Sequence, residues 1–244
     1  MKKLLLFGGT TEGRLLAQDA TELGFNVTVC VATEYGRDCL PPDHFDVRTG
    51  RLTEGEMVDL MGEDYLAVLD ATHPYAVVVS QNIRTACQQA GLPYLRFLRD
   101  ECGDNTCKYA NSILEACKVT GEGNVLFATG SKEISTATAL PDYKKRVYAR
   151  VLPLQSSLDA CYAIELQDDH ILAGKGPFST DENVETMKKH NITTMITKDS
   201  GAKGGFPEKI EAARACNVKV IVVRRPEEVG HTYQEILKKL EDLP

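Results

Sequence analysis

The sequence predicts an α/β fold in two lobes, each a mainly parallel sheet flanked by helices. Three observations predict it. Short apolar, β-branched runs alternate with amphipathic segments of about 10 to 15 residues, the pattern of successive βαβ units. A polar interval, Asp100-Glu101-Cys102-Gly103-Asp104-Asn105, interrupts that alternation midway. The length, 244 residues, exceeds one ordinary core but falls short of two large ones.

Taken in order, Leu4-Leu5-Leu6-Phe7 opens the chain as a strand over residues 3–7; Gly8, Gly9, Glu12 and Arg14 cut the apolar run too short for a signal peptide. Residues 26–31, 45–49, 67–70 and 94–97 supply the other strands of the first half, and residues 11–23, 53–61 and 76–90 its helices. Gly24 and Gly91 stand where helix C-caps belong. After the polar interval come strands at 125–128, 146–151, 171–173, 194–197 and 218–223. From Glu227 onward the chain reads as a last helix, with Ile236, Leu237 and Leu240 on one face. The expected lobes are residues 1–102 and 103–244, the last helix being able to pack back on the first lobe.

Hydrophobic residues at 43% and charged residues at 26% give an ordinary globular balance, which excludes a disordered chain or a fibre. Thirty-five acids against 28 bases leave a net charge of -7, so nucleic acid and anionic membranes are not expected partners, and an anionic ligand needs locally gathered bases. No apolar stretch approaches the roughly 20 residues of a membrane span. The eight cysteines form no Cys-x-x-Cys pair and several lie inside apolar runs, as in a reduced cytoplasmic protein; Cys102 and Cys107 are the one close pair. No metal site is expected, and oligomeric state is not legible.

The unusual polar residues fall just after the predicted strands, where parallel sheets bind ligands. Gly8-Gly9-Thr10-Thr11-Glu12-Gly13 links a strand to a helix, the context of a dinucleotide fingerprint, with Thr10 at the second glycine position, able to bond a phosphate through its hydroxyl; the alternative is a tight turn with Thr10 or Thr11 as helix cap. Beyond the second strand, Glu34 suits a ribose hydroxyl and Thr33 or Arg37 a 2′-phosphate, so NADH and NADPH both stay open. Asp70-Ala71-Thr72-His73-Pro74-Tyr75 packs an acid, a hydroxyl, an imidazole and a phenol into one strand end, with His73, Tyr75 and Asp70 as catalytic candidates and Thr72 and Pro74 beside the nucleotide. In the second half, Ser131-Lys132, Lys175-Gly176, Lys198-Asp199-Ser200-Gly201 and Arg224-Arg225 have the composition of anion sites, with Lys203 close by. There is no Tyr-x-x-x-Lys pair, no Gly-x-Ser-x-Gly elbow and no His-Glu-x-x-His helix.

These motifs, together with Tyr94-Leu95-Arg96-Phe97, Arg150-Val151-Leu152-Pro153 and Lys175-Gly176-Pro177-Phe178-Ser179, resemble the precorrin-6A reductase family of vitamin B12 biosynthesis over about residues 4–226. The resemblance implies two Rossmann-like lobes with a nicotinamide nucleotide and a tetrapyrrole in the cleft between them. It implies hydride transfer to one double bond of precorrin-6A, metal-free or cobalt-containing, to give precorrin-6B. Positioning supplies most of the rate in such a reaction, in keeping with the missing nucleophile. The other readings are a non-catalytic nucleotide-binding regulator and an NAD(P)H-dependent reductase of another conjugated acid.

Overall fold

A computed structural model describes residues 2–41, 44–99 and 102–244. The chain divides into two compact units, residues 1–100 with 226–244, and residues 101–225. In the first the chain runs β1 (Lys2–Phe7), α1 (Thr11–Glu22), β2 (Phe25–Val31), α2 (Glu34–Asp38), β3 (Asp46–Thr49), α3 (Glu54–Met61), β4 (Ala67–Asp70), α4 (Val77–Ala90) and β5 (Tyr94–Arg96). Among the described residues the strands lie in the order β3-β2-β1-β4-β5, every pairing parallel. β1 is central. Leu4 and Leu6 face one layer with Leu16 of α1, while Leu5 and Phe7 face the other with Met57 of α3 and Ile83 of α4. Full burial of each of these leucines stabilises by about 1.5–3 kcal/mol. The strand order reverses between β1 and β4, so a crevice opens at their carboxyl ends, where the glycine loop and the His73 loop begin. α2 is a helix the sequence pattern did not announce; Thr33 caps it, its hydroxyl accepting from Gly36 N at 3.1 Å.

The second unit runs β6 (Lys108–Ala110), α5 (Ile113–Lys118), β7 (Asn124–Ala128), α6 (Tyr143–Arg146), β8 (Val147–Val151), α7 (Gln155–Tyr162), β9 (Ile171–Ala173), α8 (Thr180–Lys189), β10 (Ile192–Lys198), α9 (Phe206–Ala215) and β11 (Lys219–Val223). Its strands form a parallel sheet in the order β6-β11-β10-β7-β8-β9. The order reverses between β7 and β10, which sets the crevice at Thr129-Gly130-Ser131 and Lys198-Asp199. β6, only three residues long and beginning with an exposed lysine, carries no apolar run by which the sequence could reveal it.

The C-terminal segment corrects the expected lobe boundaries. The second lobe, expected to reach residue 244, stops at Arg225, and residues 226–244 belong to the first unit. Phe97 and His231 form a parallel bridge beside β5, with His231 N donating to Arg96 O at 2.8 Å and Leu98 N donating to His231 O at 2.9 Å. A Cβ on Gly230 would stand 2.7 Å from the Arg96 carbonyl oxygen, so only glycine allows this approach. The last helix, α10 (Tyr233–Glu241), accordingly starts at a Thr232–Glu235 capping box rather than at Glu227, and buries Ile236 and Leu240 among Leu16 and Ala20. Asp100 and Glu101, part of the polar interval that suggested a boundary after residue 102, lie outside the described residues.

Candidate functional site

The glycine loop is a strand-to-helix turn with a defined division of labour. Gly9 has φ +121°, and a Cβ there would meet nothing within 4 Å, so the backbone is open to a close approach. Gly13 is needed for packing: its Cβ would lie 3.1 Å from Ala71 Cβ and 3.3 Å from Ala71 O. Thr10 caps α1, its Oγ1 accepting from Gly13 N at 3.0 Å and donating to Ala71 O at 3.1 Å. The hydroxyl's single proton is therefore spent, so of the two sequence readings of Thr10 its side chain follows the helix cap and not the phosphate bond, and it ties the glycine loop to the His73 loop. The N–H groups of Thr11 and Glu12, in the first turn of α1, have no intrahelical acceptor and suit an anion. The Glu12 carboxylate pairs with Arg99 at 2.9 Å, each side chain 9% exposed, so its negative charge is balanced locally.

The Asp70–Tyr75 loop is held from beneath by a buried network. In the β4–β5 register Asp70 lies opposite Arg96, so their side chains meet on one face. Arg96 Nη1 donates to Asp70 Oδ1 at 3.0 Å and to Thr72 O at 3.0 Å, and Nη2 to Glu228 Oε2 at 2.9 Å. Asp70 Oδ1 also accepts from Thr72 N and Oγ1, at 3.0 and 2.7 Å, and Oδ2 from Tyr94 at 2.8 Å. Burial, reinforced by Asp70, pushes the Tyr94 hydroxyl far above its ordinary range, so it remains a proton donor to this carboxylate. Asp70 is itself fully buried. Asp70, expected among the catalytic residues, thus has both carboxylate oxygens engaged inside the protein and away from any ligand. His73 and Tyr75 are half-exposed and Pro74 is buried. Tyr75 N donates to His73 Nδ1 at 3.3 Å, which in the neutral ring leaves the proton on Nε2. The two rings lie 5.6 Å apart. Thr33 Oγ1 caps α2 as an acceptor from Gly36 N, which leaves its proton to donate, and Arg37 forms an exposed pair with Glu34 at 3.0 Å.

In the second unit the expected anion ligands separate into two groups. Asp199 is buried; its Oδ2 accepts from Cys102 N and Gly103 N at 3.1 and 3.2 Å, and its Oδ1 from Gly201 N at 2.9 Å. Arg225 donates to Asp199 O at 3.1 Å and pairs with its carboxylate at 3.4 Å. Asp199 and Arg225 are therefore corrected from substrate ligands to loop anchors, and Gly201, with φ +72°, makes the turn they fix. Lys198 pairs with Glu133, Ser131 donates to Ser157 at 3.0 Å, and exposed Arg224 stacks over Tyr109 at 4.8 Å. Lys132, Lys175 and Gly176 are exposed. The glycines around Lys175 are not a phosphate cradle: a Cβ on Gly174 would stand 2.9 Å from the Phe178 ring, so Gly174 makes room for Phe178. Ser200 Oγ donates to Gly204 O at 2.8 Å. No disulfide joins the eight cysteines, and burial beside Asp104 raises the Cys107 thiol to about 11, far from a reactive thiolate.

Sequence reading gave no role to Arg96, Glu228, Arg150, Asn183 or Lys209. The available signal was an arginine inside an apolar strand, at Tyr94-Leu95-Arg96-Phe97 and Tyr148-Ala149-Arg150-Val151. Both arginines are buried, at 2% and 8% exposure.

Comparison with known proteins gives the context. Residues 3–241 match the family described as precorrin-6x reductase CbiJ/CobK. The chain is 32% identical to the cobalt-precorrin-6A reductase of Priestia megaterium, covering 97% of each chain, and 34% identical to that of Salmonella typhimurium, covering 91% of this chain and 87% of the relative. It is 30% identical to the precorrin-6A reductase of Mycobacterium tuberculosis, over 93% and 90%. A solved structure of CobK precorrin-6A reductase shares the fold, with a TM-score of 0.77 over 99% of this chain and 97% of that one at 23% identity. With nearly its whole length matched, the chain belongs to the precorrin-6x reductase family of corrin-ring biosynthesis.

Proposed function

We propose that this reductase moves a hydride from NADPH or NADH to one carbon of a double bond in precorrin-6A or cobalt-precorrin-6A, the neighbouring carbon taking a proton, to give the corresponding precorrin-6B. When bound, the nicotinamide supplies the hydride. The observation that carries the reading is the junction of two strand-end loops in the N-terminal unit: Thr10 bonds Ala71 O, and Gly13 packs on Ala71, so the open backbone at Gly9 adjoins the His73 loop. In this reading the Gly8–Gly13 turn and the N–H groups of Thr11 and Glu12 hold the nucleotide phosphates. Thr33 and Arg37 stand near the ribose. His73 presents Nε2–H and Tyr75 its hydroxyl, either to orient the nicotinamide amide or to hand over the proton. Asp70, Thr72 and Arg96 keep that loop in place. Lys132, Lys175, Lys198 and Arg224 offer cations to the carboxylates of the macrocycle, while Ser200, whose proton goes to Gly204 O, shapes the loop between them; local cations let a chain of charge -7 hold a polyanion.

Purified protein incubated with each reduced nicotinamide and each form of the substrate tests this, followed by loss of reduced-nicotinamide absorbance and by product mass. Oxidation coupled to a product two hydrogens heavier is expected. Stoichiometric nucleotide binding without oxidation would replace the reaction with a regulatory role.

A further inference from the structure

We propose that Arg150 and Lys209 form an anion subsite in the C-terminal unit that takes one carboxylate side chain of the macrocyclic substrate. The proposal rests on the reductase reading above and adds a locus to it. Arg150 is the penultimate residue of β8 and Lys209 lies in α9, which follows the β10 loop, so both stand near the carboxyl edge where this sheet opens. Among the described residues, the one hydrogen bond of the Arg150 guanidinium goes to a neutral amide, Asn183 Oδ1 at 2.5 Å, and its Cζ lies over the Phe178 ring, 4.4 Å from the centroid. Asn183 in turn donates to Phe178 O and Ser179 O at 3.2 and 2.8 Å, fixing the loop that carries Phe178. The guanidinium is therefore oriented, but most of its five donors are unspent.

Lys209 is in the same condition. Among the described residues its ammonium reaches Ser200 Oγ at 3.4 Å and Gly204 O at 3.5 Å, two neutral oxygens at the outer limit of hydrogen bonding. Burial, then the positive charge of Arg150, lowers its pKa to about 8; Glu208 and Asp199 pull the other way without restoring it. Burial likewise lowers Arg150 to about 10 against the pull of the Glu182 carboxylate, which is engaged in capping α8 through Ser179. Glu208 does not fill the gap, since among the described residues its buried Oε2 makes no hydrogen bond, to Lys209 or to any other group, and Asp199 is spent on Arg225. Among the described residues both cations hydrogen-bond only neutral oxygens; the carboxylates that act on them, Glu182 on Arg150 and Glu208 and Asp199 on Lys209, are not in hydrogen-bond contact with them, and a bound carboxylate supplies two oxygens that are. The macrocycle offers such groups, whereas the nucleotide phosphates already have the open backbone at Gly9.

The test measures steady-state constants for the full-length enzyme alongside fluorescence titration with a porphyrin octacarboxylate and its methyl ester. Lys209→Met should raise the macrocycle KM at least tenfold, leave the NAD(P)H KM within twofold and leave the melting temperature unchanged. Lys209→Arg, which keeps a cation, should recover most of the loss. Wild type should prefer the acid over the ester and Lys209→Met should lose that preference. Arg150→Gln should behave as Lys209→Met does; if it fails to fold, the two Lys209 variants decide. Unchanged macrocycle constants in folded Lys209→Met, a rise in the nucleotide KM instead, or a wild type indifferent to esterification would each overturn the subsite. Absence of turnover with every precorrin would defeat the reductase reading alone, and the porphyrin titration would still decide this one.

Discussion

Arg96 and Arg150 are the same sequence device used for opposite ends. Each is an arginine near the carboxyl end of a parallel strand, and each is buried. The register of the neighbouring strand separates them: Arg96 stands opposite Asp70, Arg150 opposite Leu172. In the first unit the charge is closed within the protein, by Asp70 and by Glu228, and the result is a rigid floor under the His73 loop. In the second the charge meets an amide and an aromatic ring and remains receptive to an anion. What a buried cation does is set by its strand partner, not by its burial.

The largest effect that would test this contrast is on stability. Arg96→Met leaves the Asp70 carboxylate fully buried without its cation, and losing one member of a buried pair costs about 3–5 kcal/mol. Arg150→Gln strands no charge and should cost only about 1–2 kcal/mol, the scale of a lost hydrogen bond and some packing. Urea unfolding of the two variants against wild type measures both. Equal losses would mean that Arg150 too is closed by a charge in the folded protein, and the contrast would collapse.

The second effect is on rate. His73→Ala removes a half-exposed ring whose floor stays intact, so stability should hold while kcat falls about 10- to 1000-fold, the range of a positioning or proton-transfer group. Stopped-flow and steady-state assays separate the two constants. Wild-type kcat would return His73 to a loop-filling part and leave the Arg96 floor with nothing catalytic to support.

Parts of this contrast were legible in the sequence and parts were not, for a consistent physical reason. The position of His73 was readable because a strand end is a local pattern, and so was the α/β alternation. The fate of Asp70 was not, since its partner comes from a strand that adjoins β4 only in the folded sheet. Asp199 looked like a ligand because of its basic and glycine-rich neighbours, yet it is consumed by backbone N–H groups at Cys102 and Gly103, distant in sequence. The apolar face of the last helix was readable from its period, whereas its late start depends on Gly230 lying against the Arg96 carbonyl. Thr10 shows the limit of motif alignment: the cap and the phosphate ligand are the same residue in sequence, and only the acceptor at Ala71 decides between them.

A third, smaller effect sharpens the nucleotide side. At Gly9, with φ +121°, alanine meets no neighbour within 4 Å, so its cost is backbone strain of about 1–3 kcal/mol rather than a clash. Gly9→Ala should therefore lower stability by that amount and weaken NAD(P)H binding by calorimetry, with the macrocycle constant unmoved. Unchanged nucleotide affinity would make the loop a structural turn only.

The smallest effect concerns Lys198, which sits between the two behaviours. It is the last residue of β10, at the sheet's switch point, like an anion ligand, but it already pairs with Glu133, whose side chain is 51% exposed. With its carboxylate half in water, though the Lys198 side chain is only 15% exposed, such a pair is worth about 1 kcal/mol. If Lys198 grips the macrocycle, Glu133 competes with the substrate for it, and Glu133→Gln should lower the macrocycle KM about two- to fivefold while Lys198→Met raises it by a similar factor. Opposite signs from the two partners of one ion pair are the mark of a cation shared between protein and ligand. If the pair is purely structural, both substitutions lose the same bond, both lower stability slightly, and neither moves KM. The two outcomes differ in sign rather than size, so even an effect this small decides whether the second unit's receptive surface extends from Arg150 and Lys209 to Lys198.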